Sequence, residues 1–229
     1  MEINRCFFLS DLHIEKDEEI DKFLKFIKKH DVDAIFLIGD IFEFLAYDNS
    51  HCIKKYEEVI KELREVSLKG KRVIFVEGNH DFALNGRFVS ESKIEISQKE
   101  YRFDLDGKKT VLVHGDVFFI NRVFRKILRS SMVKKAVRFI PEVVIMKLGF
   151  WLSSRGKNKR KTVREEMVER QIRYLMKHYG DVEVLVSGHL HTPILRRISC
   201  GDRCVLWVNP GGPEYICEYK NGEFSIKPY

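Results

Sequence analysis

The chain has 229 residues, of which 44% are hydrophobic and 33% are charged, and its formal net charge is +7. This composition is typical of a packed globular protein and excludes a disordered chain, and no apolar run reaches the roughly 18 residues of a membrane-spanning helix. The five cysteines are scattered, which indicates free thiols in a reducing compartment and not a disulfide framework.

Short apolar runs alternate with amphipathic stretches in the first third of the chain. Residues 5–10, 34–38 and 72–76 have the pattern of buried strands. The apolar faces of two helices lie between them: Ile20, Phe23, Leu24 and Ile27, then Ile53, Tyr56, Ile60 and Leu63, with a stop near Gly70. The alternation predicts parallel strands with helices packed on the sheet. Because the first strand begins at residue 5, there is no room for a cleavable signal peptide, and we expect a cytoplasmic protein.

Strand pairs dominate the rest of the chain, on either side of a helical segment. The turn Asp106-Gly107 predicts a hairpin of residues 101–105 and 110–114. Further strands are predicted at residues 182–186, 194–198, 204–208, 215–219 and 223–226. Residues 118–179 indicate a basic helical insertion, in which Thr162 and Glu165 form a capping box for a helix that ends at Gly180. The prediction is a single α/β domain, residues 1–229, with one insertion.

Five of the apolar runs end at potential metal ligands. These ends are Asp11-Leu12-His13, Gly39-Asp40, Gly78-Asn79-His80-Asp81, His114-Gly115-Asp116 and Gly188-His189-Leu190-His191. In open α/β sheets the ligand site lies beyond the carboxyl ends of the strands, so residues that are distant in sequence can converge there. Residues two apart on an extended strand point to the same side, so one Asp-x-His or His-x-His pair can hold one ion.

Each cluster alone has a simpler explanation. An isolated Asp-x-His is usually a strand end with a capping Asp, Gly-Asp is a common turn, and His114 alone could be a buried core histidine. Gly-Asn-His-Asp and Gly-His-x-His are much rarer, and five such endings in one chain favour a metal site. Oxygen and imidazole ligands without thiolates favour manganese, iron, zinc or nickel.

In this order, the motifs resemble those of the calcineurin-like metallophosphoesterases. The resemblance extends from Asp11 to His191 and implies a four-layer αββα sandwich with two divalent metal ions, manganese being the expected one. The ligand sets that it implies are Asp11, His13, Asp40 and His191 for one ion, and Asp40, Asn79, His114 and His189 for the other. Asp40 would then bridge the two ions.

A pair of ions of this kind would activate a shared water and offset charge that develops during in-line displacement at phosphorus. His80 looks like the residue that donates to the leaving oxygen or to the phosphoryl group, and Asp81 would orient its ring. The alternative for Asp81 is a local cap.

The insertion carries most of the basic charge. Residues 118–173 contain 16 Lys and Arg against four Asp and Glu, whereas the rest of the chain has 25 against 30. Interleaved apolar residues suit an amphiphilic anionic ligand or an anionic membrane face. We expect substrate contacts from Phe124, Arg125, Lys126, Ile127 and Arg129. The alternative is a helical cap with its own core and a solvated basic surface, and nucleic acid is not expected because no nucleic-acid module is recognisable.

Within the family, the chain is most similar to the UDP-2,3-diacylglucosamine pyrophosphatases of lipid A synthesis. The similarity rests on the short length, on Gly39-Asp40-Ile41-Phe42-Glu43, on His114-Gly115-Asp116 and on the insertion, which in those enzymes forms a lid that holds acyl chains. It implies a cytoplasmic pyrophosphatase, with peripheral membrane contact, that converts an acylated nucleotide sugar to a nucleoside monophosphate and a sugar phosphate. The alternatives are a general phosphodiesterase or protein phosphatase with the same site, and a metal-binding scaffold that docks partners. Intact ligands at all five motifs argue against the scaffold.

Overall fold

The computed structural model describes residues 3–84, 86–116, 127–128, 130–137, 139–157, 168, 172–174, 177–179, 181–200 and 203–229. The strands are β1 (Arg5–Leu9), β2 (Ala34–Ile38), β3 (Leu45–Ala46), β4 (Arg72–Val76), β5 (Asp81–Phe82), β6 (Glu95–Ser97), β7 (Glu100–Leu105), β8 (Lys108–Val113), β9 (Val184–Ser187), β10 (Ile194–Cys200), β11 (Arg203–Asn209), β12 (Tyr215–Lys220) and β13 (Glu223–Pro228). The helices are α1 (Asp17–Lys29), α2 (Ser50–Lys55), α3 (Glu57–Leu68), α4 (Arg87–Ser92), α5 (Ser131–Val137) and α6 (Glu142–Lys157).

The strands form two larger sheets and one small one. The first sheet has the order β13-β12-β1-β2-β4-β6, and the second has the order β10-β11-β9-β8-β7. In the first sheet β1, β2, β4 and β6 are parallel, as the alternation of strands and helices predicts, and β12 is antiparallel to β1. The third sheet is a pair of two-residue strands, β3 and β5.

Side chains alternate between the two faces of each sheet and build three apolar layers. The middle layer joins the sheets, with Phe36 and Val76 of the first sheet in one buried cluster with Leu112 and Val186 of the second. The outer face of the first sheet packs against α1 and α3, and the outer face of the second packs against Val168, Ile172, Tyr179 and Val182. The predicted four-layer αββα sandwich is confirmed.

The predicted second helix is two helices in the structure, because the chain turns at Tyr56. The backbone of Tyr56 (φ −102°, ψ 18°) ends α2 and begins α3. Its side chain is fully buried, and its hydroxyl donates a 2.9 Å hydrogen bond to the carbonyl of Ile14. The turn therefore anchors the loop that contains His13.

The described part of the insertion contains α5 and α6, between β8 and β9. One face of α6 packs on the first core through Ile145, Met146 and Phe150. The full extent of the insertion, residues 118–179, stays a prediction, and the capping box of Thr162 and Glu165 lies outside the described residues. None of the described helices is both long enough and apolar enough to span a membrane.

Candidate metal centre

Five loops meet where β1, β2, β4, β8 and β9 end. Backbone hydrogen bonds of 3.0 Å tie the loops together, from Asp11 N–H to the Gly39 carbonyl and from His13 N–H to the Asp40 carbonyl. The N–H of Gly188 donates to the carbonyl of His114, also at 3.0 Å. The strand-end motifs that are separated by up to 180 positions in sequence therefore become neighbours in space.

The potential ligand atoms of the described residues fall into three overlapping groups, two of which consist only of predicted ligands. In each of these two groups, the side-chain atoms all lie within 4.8 Å of one another: Asp11, Asp40, His114 and His189 in the first, and Asp11, His13 and His191 in the second. The amide oxygen of Asn79 lies 3.1 Å from Nε2 of His114. All seven predicted ligands are thus brought to one place, and their division between two ions stays a prediction.

Each aspartate uses one oxygen for the backbone and turns the other toward the histidines. Oδ1 of Asp40 accepts hydrogen bonds of 2.8 Å from the N–H groups of Asn79 and His80, while Oδ2 lies 3.3 Å from Nε2 of His114. Oδ2 of Asp11 accepts a 2.8 Å hydrogen bond from the N–H of His189, while Oδ1 lies 3.6 Å from Nε2 of His191. The carboxylates are held rigidly, with one oxygen each directed into the cluster.

Among the histidines, His114 shows the clearest preorganisation. Its Nδ1 donates to the carbonyl of Ile38 at 2.9 Å, and this bond directs Nε2 toward the cluster. Gly39 permits this arrangement, because its φ is +72° and a Cβ there would lie 2.5 Å from Nδ1 of His114.

Several of the predicted ligands have a costly backbone conformation. Asp11, His13, Asp40, His189 and His191 all have φ between 49° and 71°, a left-handed region in which non-glycine residues are strained. Such residues persist where the surroundings hold them in place, and they cluster at functional sites.

Charge and burial shift the pKa values within this cluster in opposite directions. Burial disfavours the charged form of His114, but the Asp40 carboxylate outweighs that effect and raises the pKa of His114 to about 10. Burial, with the nearby charge of His114, lowers the pKa of His189 to about 3. For Asp40, the histidines His114 and His80 outweigh burial and hold its pKa well below the ordinary value. The site therefore keeps Asp40 ionised and His189 neutral, the forms that bind cations.

A main-chain carbonyl faces the ring of His80. Nδ1 of His80 lies 2.9 Å from the main-chain carbonyl of Glu43, and 12% of the His80 side chain is exposed. Burial lowers the pKa of His80, and the Asp40 carboxylate partly offsets this effect.

Asp81 binds four backbone N–H groups. Its Oδ1 accepts from Asp40 at 2.8 Å and Gly78 at 2.9 Å, and its Oδ2 accepts from Ile41 at 2.6 Å and Phe42 at 3.2 Å. Burial and the Asp40 carboxylate raise the pKa of Asp81 to about 8, with the backbone donors opposing them. These bonds correspond to the alternative of a local cap, whereas orientation of His80 by Asp81 stays a prediction.

The chemistry of these donors fits divalent cations. Oδ1 of Asp11 and Nε2 of His13 are buried and have no hydrogen-bond partner among the described residues. Buried polar atoms without partners are costly, and cations among them would remove that cost. The donors are carboxylate and amide oxygens and imidazole nitrogens, a set that suits manganese, iron, zinc or nickel.

Most of the predicted substrate contacts in the insertion fall outside the described residues: Phe124, Arg125, Lys126 and Arg129. Ile127 is described and is 51% exposed.

The comparisons with known proteins agree with the geometry. The family model for calcineurin-like phosphoesterases matches residues 5–193. The chain belongs to this family. Calcineurin-like phosphoesterases hydrolyse phosphate ester or anhydride bonds at a dimetal centre, and this chain is accordingly a hydrolase of that class.

Two relatives that share a name align with most of this chain. A protein named UDP-2,3-diacylglucosamine hydrolase from Aliivibrio fischeri is 27% identical over 96% of this chain and 96% of its own. One of the same name from Psychromonas ingrahamii is 25% identical over 88% of this chain and 84% of its own. Among solved structures, Yfce, a phosphoesterase from E. coli, covers 96% of this chain and 91% of its own with a TM-score of 0.50 and 16% identity, which supports the fold.

Glu43 is the residue at this centre for which the sequence predicted no role. It is 1% exposed, and its Oε2 lies 3.3 Å from Nδ1 of His13. The sequence feature that could have identified Glu43 is its position, an acidic residue three positions after Asp40 in an otherwise apolar stretch.

Proposed function

We propose that this phosphoesterase cleaves the pyrophosphate of UDP-2,3-diacylglucosamine or a similar nucleotide-linked lipid sugar. The products would be a nucleoside monophosphate and an acylated sugar phosphate. The names of the two bacterial relatives point to this substrate. In the structure itself, the proposal rests on an exposed apolar face of α6.

This face consists of residues at helical spacing on one side of α6 and just before it. Ile140, Val144, Leu148 and Trp151 are between 43% and 53% exposed, and Phe139 beside them is 90% exposed. Apolar side chains grouped in this way on a surface usually mark a binding site. A substrate with acyl chains would cover them.

The other side of α6 packs directly on the chain that follows Asp40. Gly149 lies against the ring of Phe44, and a Cβ at Gly149 would clash with that ring. The Phe44 and Phe150 rings are 6.0 Å apart, and the amide of Asn49 donates a 2.9 Å hydrogen bond to the carbonyl of Glu142. A ligand on the outer face of α6 would therefore lie on a helix whose inner face contacts Phe44, four residues after the proposed metal ligand Asp40.

The chemistry would be divided among the residues of the centre. Two bound cations would acidify water and neutralise phosphoryl charge. Asp11, His13, Asp40 and His191 would hold one, and Asp40, Asn79, His114 and His189 the other. In its imidazolium form, His80 would give the Nε2 proton to the leaving oxygen and become neutral, since its Nδ1–H is held by the Glu43 carbonyl and its Nε2 lies on the side of Asp40, 3.9 Å from Oδ2. Manganese is the proposed ion.

Peripheral contact with an anionic membrane follows from the same face. An acylated substrate resides in a membrane, and Lys134 and Lys135 lie in α5 while Lys147 lies in α6. Lysine attracts anionic lipid headgroups, while exposed apolar residues insert among them.

The test compares an acylated UDP-sugar with a small aryl phosphodiester, both with manganese, in the Leu148→Ser and Trp151→Ser variants. Each side chain contributes about 1.5 to 3 kcal/mol when it is buried by ligand, so kcat/KM for the acylated substrate should fall roughly tenfold or more. Hydrolysis of the aryl diester should be unchanged. Ile127→Ser extends the test to the predicted contacts.

Leu68→Ser provides the matched control, because Leu68 is 63% exposed at the end of α3 and lies outside the insertion. It should leave both activities unchanged. If folded variants of α6 lose both activities equally, or neither, the insertion is not a selective lid, and a general phosphodiesterase becomes the better description.

A further inference from the structure

Glu43 lies between two of the histidines at the centre. Its carboxylate Oε2 is 3.3 Å from Nδ1 of His13, and its main-chain carbonyl is 2.9 Å from Nδ1 of His80. The ligand-type atoms of these three residues lie within 4.8 Å of one another. One residue thus faces the Nδ1 side of both rings.

The opposite nitrogens of the two rings point to the same carboxylate. Nε2 of His13 and Nε2 of His80 each lie 3.9 Å from Oδ2 of Asp40. A histidine that binds a metal through one nitrogen normally donates the N–H of the other to a carboxylate, a carbonyl or water, which fixes the ring and increases its basicity. Glu43 offers its carboxylate to His13 and its carbonyl to His80.

The backbone around Glu43 is held by the same two loops. The N–H of Glu43 donates to the carbonyl of Ile14 at 3.0 Å, beside His13. The N–H of Leu45 donates to the carbonyl of His80 at 2.9 Å, and β3 pairs with β5, which begins at Asp81. These hydrogen bonds fix the backbone of Glu43 between the loops of the two histidines, and its side chain is 1% exposed.

We propose that Glu43 is a positioning residue that sets the tautomer and orientation of His13, so that its Nε2 binds one ion of the centre. This inference rests on the dimetal site of the proposed function but not on the substrate. The 3.3 Å between Oε2 of Glu43 and Nδ1 of His13 is slightly long for an N–H···O hydrogen bond, and it places the carboxylate as the acceptor that faces Nδ1.

The experiment measures binding of Co²⁺ alone, by chelator competition and by the visible spectrum of the cobalt protein, in the absence of any substrate. Glu43→Gln keeps an oxygen acceptor but removes the charge, and Glu43→Ala removes both. Loss of such a partner typically weakens metal binding by about 10- to 100-fold. We expect a loss in this range for one of the two ions in Glu43→Gln, a larger loss in Glu43→Ala, and a shifted cobalt spectrum in both.

Glu77→Gln is the matched control, because Glu77 is also a fully buried glutamate, with its Oε1 bonded to the N–H of Leu84 at 2.8 Å. It should bind two Co²⁺ ions with the wild-type spectrum, while thermal melts verify that all variants are folded. Wild-type affinity and spectrum in Glu43→Ala would overturn the inference. So would a Glu43→Gln protein that binds a single ion even at saturating Co²⁺, since Glu43 would then be a direct ligand. A wild-type chain that does not bind two ions would contradict the proposed dimetal function instead.

Discussion

Asp40 and Asp11 form a matched pair for testing which carboxylate bridges the ions. Both are buried, and both bond backbone N–H groups with one oxygen and face histidines with the other. In Asp40→Asn and Asp11→Asn the amide oxygen can keep the backbone hydrogen bonds, so that the substitutions remove mainly the ligand oxygen and its charge.

The expected losses differ because Asp40 contacts more of the site. Even a partner outside the coordination sphere typically contributes 10- to 100-fold to metal affinity, so loss of a direct ligand should exceed about 100-fold. Asp40→Asn should weaken both ions by at least that factor, whereas Asp11→Asn should weaken mainly one. Hydrogen bonds to charged groups contribute about 1.5 to 3 kcal/mol against about 1 kcal/mol for neutral ones. The two bonds to Asp40 therefore predict a loss of about 1 to 4 kcal/mol in the stability of Asp40→Asn.

The assay is metal content and chelator competition with Mn²⁺, accompanied by turnover of an aryl phosphodiester and by thermal melts. At this chain length about 1 kcal/mol corresponds to a Tm change of about 2 to 4 °C. Two tightly bound ions and near-normal turnover in Asp40→Asn would refute the bridging assignment. Equal effects of the two substitutions on both ions would refute the division of ligands between the ions.

Two further predictions concern the histidines. His80→Ala should keep two ions per chain but lose turnover by roughly 100- to 10,000-fold, as expected for a proton donor that is not a ligand, and a parallel loss of metal would show that His80 binds an ion. Because the pKa of His114 is raised to about 10, its proton competes with metal at neutral pH, and affinity for Mn²⁺ should rise between pH 7 and pH 10. Calorimetry of Mn²⁺ binding in buffers of different ionisation enthalpy should detect release of about one proton at pH 7.5, and this release should be absent in His114→Gln. His189 is already neutral and releases no proton. An affinity for Mn²⁺ that does not depend on pH would contradict this assignment.

Local sequence patterns predicted the elements that position the centre. Residues 34–38 and 72–76 are strands with the predicted bounds, and the strand-end motifs converge because the carboxyl ends of parallel strands share one edge. Pairing of β12 with β1 was not predictable in the same way, since it joins residues more than 200 positions apart and depends on packing of the whole chain.

Side-chain partners were harder to predict than metal ligands. The apolar stripe is continuous in the sequence, but the helix is divided at Tyr56, whose buried hydroxyl donates to the Ile14 carbonyl. Asp81 binds backbone N–H groups that no sequence pattern identifies as neighbours, and Glu43 reaches His13 through a loop whose path is set by pairing of β3 with β5. Motifs report which residues can bind a metal, whereas the contacts that orient them depend on tertiary structure.

The proposed pyrophosphatase activity is best tested by incubating the chain with the acylated UDP-sugar, with manganese or with a chelator, and identifying the products by mass. We expect UMP and the acylated sugar phosphate with manganese, and no product with the chelator. Products in the presence of the chelator, cleavage to UDP and free sugar, or turnover of the aryl diester without turnover of the acylated UDP-sugar would contradict it.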